Sequence, residues 1–395
     1  MHAKTYRNRF SFSFAAQFAC VAKKSPAWYS CSIHFTMATH FYPIRISEVK
    51  QETKDCVSLQ LQIPEILKPQ FQFNAGQHLT FRMTVNGKEI RRNYSLCSSP
   101  LEHEWRVAVK RVPGGLFSTW ATEVAIAGDV LDVMPPAGHF GTTLVAEQRK
   151  NYLAIAAGSG ITPILSIIKT TLATEPLSTF ALVYGNRYRG SIIFKEALEA
   201  LKDTYMQRLQ LIHILSRERT DADINHGRIT GEKLNQLSQK LLPLTSVDEV
   251  FLCGPEEMIH AARTFLQDHG VPAERIHFEL FNTSAATRQT ATVSASAQPE
   301  GHVSKITIRM DGVESMFELA QQGASILDAA LQQGADLPYA CKGGVCCTCR
   351  AKLVEGEVSM DVVYGLEPDE IAAGYILTCQ SHPKSEAVVV DYDAK

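Results

Sequence analysis

No uninterrupted apolar run in this 395-residue chain reaches the roughly 20 residues that a membrane-spanning helix needs. Cysteine is sparse as well. Ten in 395 residues exclude the dense disulfide framework of small secreted domains. Acidic residues are missing from the first 36 positions, which carry five Lys/Arg and no Asp or Glu. The opposite bias holds at the other end. Residues 303–395 carry seven Lys/Arg against fourteen Asp/Glu, a net of −7 within a chain of formal charge −2. Such an acidic end speaks against nucleic acid and suits a partner with a basic docking surface.

What is present is ordinary for a globular protein: 45% hydrophobic and 20% charged residues. The length exceeds one core and implies two or three domains. Residues 1–36 have the basic, Ser- and Phe-rich composition of a transit segment, and 10–22 could pass for a short signal core. The simplest reading makes Met37 the true start and 1–36 a poorly structured extension, with the protein cytoplasmic and off the membrane.

Residues 37–145 read as short alternating strands, among them 58–63, 78–83, 105–110 and 130–134, with Asn86-Gly87 as a hairpin turn. An antiparallel β-barrel or sandwich is expected. From 146 to 281 buried-strand runs alternate with helical stretches, the βαβ rhythm of a parallel sheet with helices on both faces. Residues 282–302 are small and polar and read as a linker. Residues 303–395 open with a hairpin around Asp311-Gly312 and a helix over 325–333, forming a third, α+β domain.

That third domain holds the most specific signal. Cys341, Cys346 and Cys349 are spaced C-x4-C-x2-C, and twenty-nine residues separate Cys349 from Cys379. This is the plant-type ferredoxin spacing for a [2Fe–2S] cluster held by four thiolates. Structural zinc sites pair cysteines twice as C-x2–4-C, and only one such pair occurs here. Gly343 and Gly344 suit a loop that turns its N–H groups toward sulfur. Cys347, inside the loop, is a fifth thiol beside these four and is expected not to be a ligand.

Two further constellations lie upstream. In Arg92-Asn93-Tyr94-Ser95, the cation can neutralise a phosphate and the ring can face a flat ligand. Gly114-Gly115-Leu116-Phe117-Ser118 precedes a helix start whose free N–H groups would receive a pyrophosphate. Gly158-Ser159-Gly160-Ile161-Thr162-Pro163 follows the strand run 152–157. It lacks the third glycine of the full dinucleotide fingerprint but keeps its logic of close backbone approach. Cys253-Gly254-Pro255 closes another strand. Arg187, Ser216 and Arg217 supply cationic and hydroxyl groups after strands, which suits the 2′-phosphate of NADPH rather than NADH.

Together and in this order, these motifs resemble the ferredoxin–NADP reductase superfamily, over residues 42–395. The resemblance is to the reductases of multicomponent oxygenases that carry a C-terminal ferredoxin. It implies FAD as the flavin, with Arg92, Tyr94, Ser95, Val109, Lys110 and Gly114 to Ser118 around it. Gly158, Gly160, Thr162, Pro163, Gly254 and Pro255 would face NADPH, and Phe281 would lie near the flavin. It also implies catalytic roles for Ser95 beside flavin N5, Cys253 beside the nicotinamide, and Glu279. Cys347 departs from the family's small residue in the loop. The implied function is electron transfer from NADPH through FAD and the cluster to the oxygenase subunits of a di-iron monooxygenase, that of phenylacetyl-CoA epoxidation in phenylacetate breakdown. Service to another multicomponent aromatic oxygenase and a flavin/iron–sulfur redox sensor are the alternatives.

Overall fold

The computed structural model describes residues 40–85, 87–242, 244–281 and 302–394. The expected N-terminal extension, the Asn86 corner of the first hairpin and nearly all of the expected linker lie outside the described residues.

The N-terminal domain is one antiparallel sheet of six strands: β1 (Tyr42–Thr53), β2 (Cys56–Gln62), β3 (His78–Val85), β4 (Lys88–Ser95), β5 (Trp105–Lys110) and β6 (Val130–Val133). Their order is β4-β3-β6-β1-β2-β5. A bridge between Leu96 and Val107 brings the two outer strands together, so the sheet curls toward a barrel rather than splitting into a sandwich. Alternation places Ile44, Ile46, Leu59, Leu79, Phe81, Val107 and Val109 in its core. Helix α1 (Leu116–Glu123) closes one mouth with Phe117 and Ala121. The first strand is broken by register shifts near Glu48 and Thr53, which interrupt the alternation that sequence reading follows.

The second domain stacks five parallel strands: β7 (Asn151–Ala157), β8 (Thr179–Asn186), β9 (Leu209–Leu215), β10 (Glu249–Cys253) and β11 (Ile276–Glu279). One face is covered by α2 (Ile161–Thr174) and α3 (Lys195–Thr204), the other by α4 (Gly231–Lys240) and α5 (Glu256–Asp268). The order β11-β10-β7-β8-β9 reverses direction between β7 and β10. Such a switch point opens a crevice beyond the carboxyl ends of the strands. Helix α2 also fastens this domain to the barrel. Ser166 Oγ donates to the Ser98 carbonyl at 2.6 Å, and Thr170 and Ser99 hydroxyls lie 2.8 Å apart, all buried.

The C-terminal domain contains β12 (Val303–Met310), β13 (Val313–Ala320), α6 (Ile326–Gln332), β14 (Arg350–Glu355), β15 (Val358–Met360), α7 (Pro368–Ala372), β16 (Tyr375–Leu377), β17 (Ser381–Pro383) and β18 (Ala387–Asp391). Its main sheet runs β13-β12-β18-β14-β16, with β12 and β18 parallel. Ser325 caps α6 by accepting from the Asp328 N–H at 3.2 Å, which sets where the helix starts. The cysteine loop spans the gap between α6 and β14.

Candidate functional site

The switch point holds the glycines singled out in the sequence. An added Cβ at Gly160 would stand 2.1 Å from the Cys253 carbonyl oxygen, so only glycine lets the turn after β7 touch the end of β10. Around this contact lies a cleft of about 600 Å³. Lys110, Gly158, Gly160, Arg187, Ser216, Gly254, Pro255 and Phe281 all line it. Thr162 and Pro163 are buried in the first turn of α2, where Thr162 Oγ1 donates to the Ser159 carbonyl at 3.0 Å. Arg217 is exposed and outside the lining. A smaller hollow of about 360 Å³ lies at the opposite, amino-terminal ends of β7, β8 and β9. Ligands of parallel sheets bind at the carboxyl ends, so the first cleft is the candidate site for a nucleotide.

Sequence reading missed Arg228 and Thr230, which also line the cleft. They come to it because His226 bridges to Leu215 at the end of β9 and Gly227 N–H donates to the Leu215 carbonyl at 3.0 Å. Gly-Arg-Ile-Thr shortly after a strand was the available signal.

The barrel meets the second domain at Ser95, whose Oγ donates to Glu279 Oε2 at 3.1 Å. Ser95 ends β4 opposite His78, and Asn93 opposite Thr80, so these four share one face of the hairpin. Glu279 Oε1 is 3.9 Å from His78 Nδ1. Burial pushes the Glu279 carboxyl up to about 8, against the opposing hydrogen bond from Ser95. Burial also drives His78 down to about 4, helped by His139. Near pH 7 both are therefore neutral. Cys253, at the end of β10, is fully buried, and burial raises its thiol well above the usual range, with Glu279 adding to the rise.

The other face of the hairpin turns toward the barrel core. Tyr94 packs on Phe117 with ring centroids 5.1 Å apart. Arg92 is exposed, and Val109 and Phe117 are buried in the core, so those two offer only backbone to a ligand. Helix α1 starts after Gly115 with no side-chain cap and no acid in its first turn. The N–H groups of its exposed start suit an anion. His78 Nε2 and Asn93 Nδ2 are buried without a protein partner. A flavin, with its hydrogen-bonding ring edge and pyrophosphate, fits a site built of such groups.

In the C-terminal domain the four cysteines fall into two neighbouring pairs, Cys341 beside Cys346 and Cys349 beside Cys379. Among the described residues no three Cys, His, Asp or Glu side chains converge on a single metal-ion position. Two pairs suit a two-iron cluster better than one zinc ion. Gly343 N–H donates to Cys341 Sγ at 3.2 Å, as expected, although the left-handed φ of +72° belongs to Gly344 alone of the two glycines. Gln380 Nε2 reaches Cys379 Sγ at 3.7 Å and the Lys342 carbonyl at 3.0 Å. Cys347 instead donates its thiol to the Gly365 carbonyl, away from the four. Val345 of the same loop packs against the hydrophobic core of the parallel-sheet domain, as does Phe278, one residue from Glu279.

Comparison with known proteins agrees with this division. Residues 43–141 match the oxidoreductase FAD-binding domain, 154–264 the oxidoreductase NAD-binding domain and 308–384 the 2Fe-2S iron-sulfur cluster binding domain. The chain is 50% identical over 357 residues to a subunit of the 1,2-phenylacetyl-CoA epoxidase of Escherichia coli (strain K12), covering 90% of this chain and 99% of that protein. It is 32% identical to the ferredoxin reductase component of 3-ketosteroid-9-alpha-monooxygenase of Rhodococcus rhodochrous, covering 88% and 96% of the two. Among solved structures, phthalate dioxygenase reductase superposes with a TM-score of 0.54 at 26% identity, over 89% of this chain and 98% of that one. Three modules in this order, each with its expected cofactor chemistry, leave one assignment: the chain belongs to the ferredoxin–NADP reductase superfamily, among the FAD- and [2Fe–2S]-dependent oxidoreductases that serve as reductase components of oxygenases.

Proposed function

We propose that this protein is the reductase component of a phenylacetyl-CoA epoxidase, drawing electrons from NADPH and delivering them to a di-iron oxygenase in the cytoplasm. The observation that carries the reading is the 50% identity to the Escherichia coli epoxidase component over 90% of the chain. Bound FAD supplies the conversion between a two-electron hydride donor and a one-electron cluster. The chain's own residues do the rest. Ser95 and Glu279 fix the junction where the nicotinamide cleft meets the flavin site, and the protonated Glu279 keeps that junction uncharged at neutral pH. The Gly158–Gly160 turn and Gly254 line the cleft, and the buried Cys253 supports them from beneath through the close approach of its carbonyl to Gly160. Free N–H groups at the start of α1 and the Arg92 guanidinium would hold phosphate, and Tyr94 would face the flavin ring. Cys341, Cys346, Cys349 and Cys379 would hold the cluster.

NADPH rather than NADH is supported by Arg187 and Arg228 together with Ser216 and Thr230 in one cleft. Glu218, the acid nearest these groups in sequence, is engaged by the Arg189 N–H at 2.7 Å. Titrating the purified protein with NADPH and then NADH, while following flavin and cluster absorbance, tests the nucleotide. Mixing it with di-iron oxygenase subunits and phenylacetyl-CoA tests the partner. Reduction of both cofactors without epoxide formation would move the protein to another aromatic oxygenase. Negligible turnover with either nucleotide would favour a sensor.

A further inference from the structure

The face of the β3–β4 hairpin that carries Ser95 also carries Arg82 and Arg91, since these pair across the same two strands in step with His78 and Ser95. Arg91 is only 7% exposed. Its guanidinium lies between two rings, 5.0 Å from the centroid of Phe41 and 4.0 Å from that of Tyr339. Its edge is used too. Nε donates to Glu89 Oε1 at 2.8 Å, Nη1 donates to the Leu337 carbonyl at 3.4 Å, and Nη2 faces Asp336 at 3.8 Å. The stack continues on both sides. Arg82 covers Phe41 at 4.1 Å, and Lys342 lies over Tyr339 at 4.7 Å. Cations and rings thus alternate from the barrel to Lys342, the residue that follows Cys341.

We propose that Arg91 is the latch that seats the [2Fe–2S] domain on the flavin barrel and sets the register of the cluster loop against the flavin site. A planar guanidinium can stack on two rings while its edge donates hydrogen bonds, which a lysine ammonium cannot. Arg91 stands four residues from Ser95 on the same strand face, about 13 Å along the strand. Tyr339 stands two residues before Cys341. One side chain therefore ties the strand that ends at the hydride site to the loop that holds the cluster. Arg91 is a positioning residue that acts through Tyr339. The proposal rests on the electron path from nucleotide through flavin to cluster.

The test uses the full-length protein loaded with FAD and cluster. Arg91→Leu is expected to raise amide hydrogen exchange in residues 88–92 and 337–342 together. It should leave the cluster's EPR signal and the rate of flavin bleaching by nucleotide unchanged. Flavin-to-cluster transfer should slow by roughly thirtyfold, the factor that matches loss of one desolvated cation–ring contact. Unchanged exchange in both segments overturns the latch, and raised exchange with unchanged transfer overturns its positioning role. Should Arg91→Leu fail to fold, Tyr339→Leu removes the opposing ring and is held to the same outcomes. A wild-type protein whose flavin bleaches while its cluster stays oxidised would overturn the electron path, and the exchange data would still decide the latch.

Discussion

Ser95 and Glu279 are 184 residues apart in sequence and joined by a hydrogen bond of 3.1 Å. One ends the strand of the barrel that carries Arg92 and Tyr94, the other ends the last strand of the parallel sheet. The bond therefore joins the barrel to the parallel sheet at the proposed hydride site. Ser95→Ala is expected to slow flavin reduction by nucleotide roughly ten- to a hundredfold, the cost of about 1–3 kcal/mol for unpairing a buried polar group. The cluster spectrum should not change. Stopped-flow bleaching at the flavin band checks this, and a rate equal to wild type would remove Ser95 from the mechanism.

The neutral pair of His78 and Glu279 makes stability depend on pH from both sides. His78 has a folded-state value of about 4, below its ordinary 6.5, so its stability contribution is present above 6.5 and lost as pH falls toward 4. Glu279 behaves oppositely. Its folded value of about 8 lies above the ordinary 4.5, so its contribution is full below 4.5 and is lost as pH rises through 8. Each loss is on the order of a few kcal/mol. Thermal midpoints across pH 4–9 should show a flatter acid limb in His78→Gln and a flatter alkaline limb in Glu279→Gln.

Cysteine substitutions separate ligand from bystander. Cys379→Ser should abolish the cluster's absorbance and EPR signal while leaving nucleotide-driven flavin reduction intact. Cys347→Ser should retain both, because its thiol is spent on the Gly365 carbonyl. Loss of the cluster in Cys347→Ser would make that thiol a ligand.

In the nucleotide cleft, Arg228→Gln is expected to raise the KM for NADPH by roughly ten- to a hundredfold, the value of a charged hydrogen bond, while leaving NADH unaffected. An equal loss with both nucleotides would show that Arg228 does not read the 2′-phosphate.

Gly160→Ala would set a Cβ 2.1 Å from the Cys253 carbonyl oxygen. Backbone cannot yield as a flexible side chain can, so a loss of about 1–3 kcal/mol in stability is expected from overpacking. Denaturant titration measures it, and an unchanged midpoint would mean that the turn can move away from β10.

Much of this was legible in the chain itself. Alternation and βαβ rhythm are local properties of the sequence, so the strand over 105–110 and the run over 152–157 lie where they were expected. The C-x4-C-x2-C spacing is local as well, and the glycine at 160 announces a close approach. The full length of the barrel's bulged first strand was not legible, since an extra residue breaks the period that reveals a strand. Nor was Arg228, whose place in the cleft depends on a bridge from His226 to the end of another strand.

By itself the sequence determined the three modules, their order and the residue types available for flavin, nucleotide and cluster, because each depends on spacing within a short segment. Only the tertiary structure decided which of those residues meet. Glu279 reaches Ser95, Val345 seats against the core of the parallel-sheet domain, and Arg91 stacks on Tyr339, all through contacts between segments far apart in the chain. Burial is a property of that assembly. It alone turns an ordinary glutamate and histidine into a neutral pair and an ordinary strand arginine into a joint between domains.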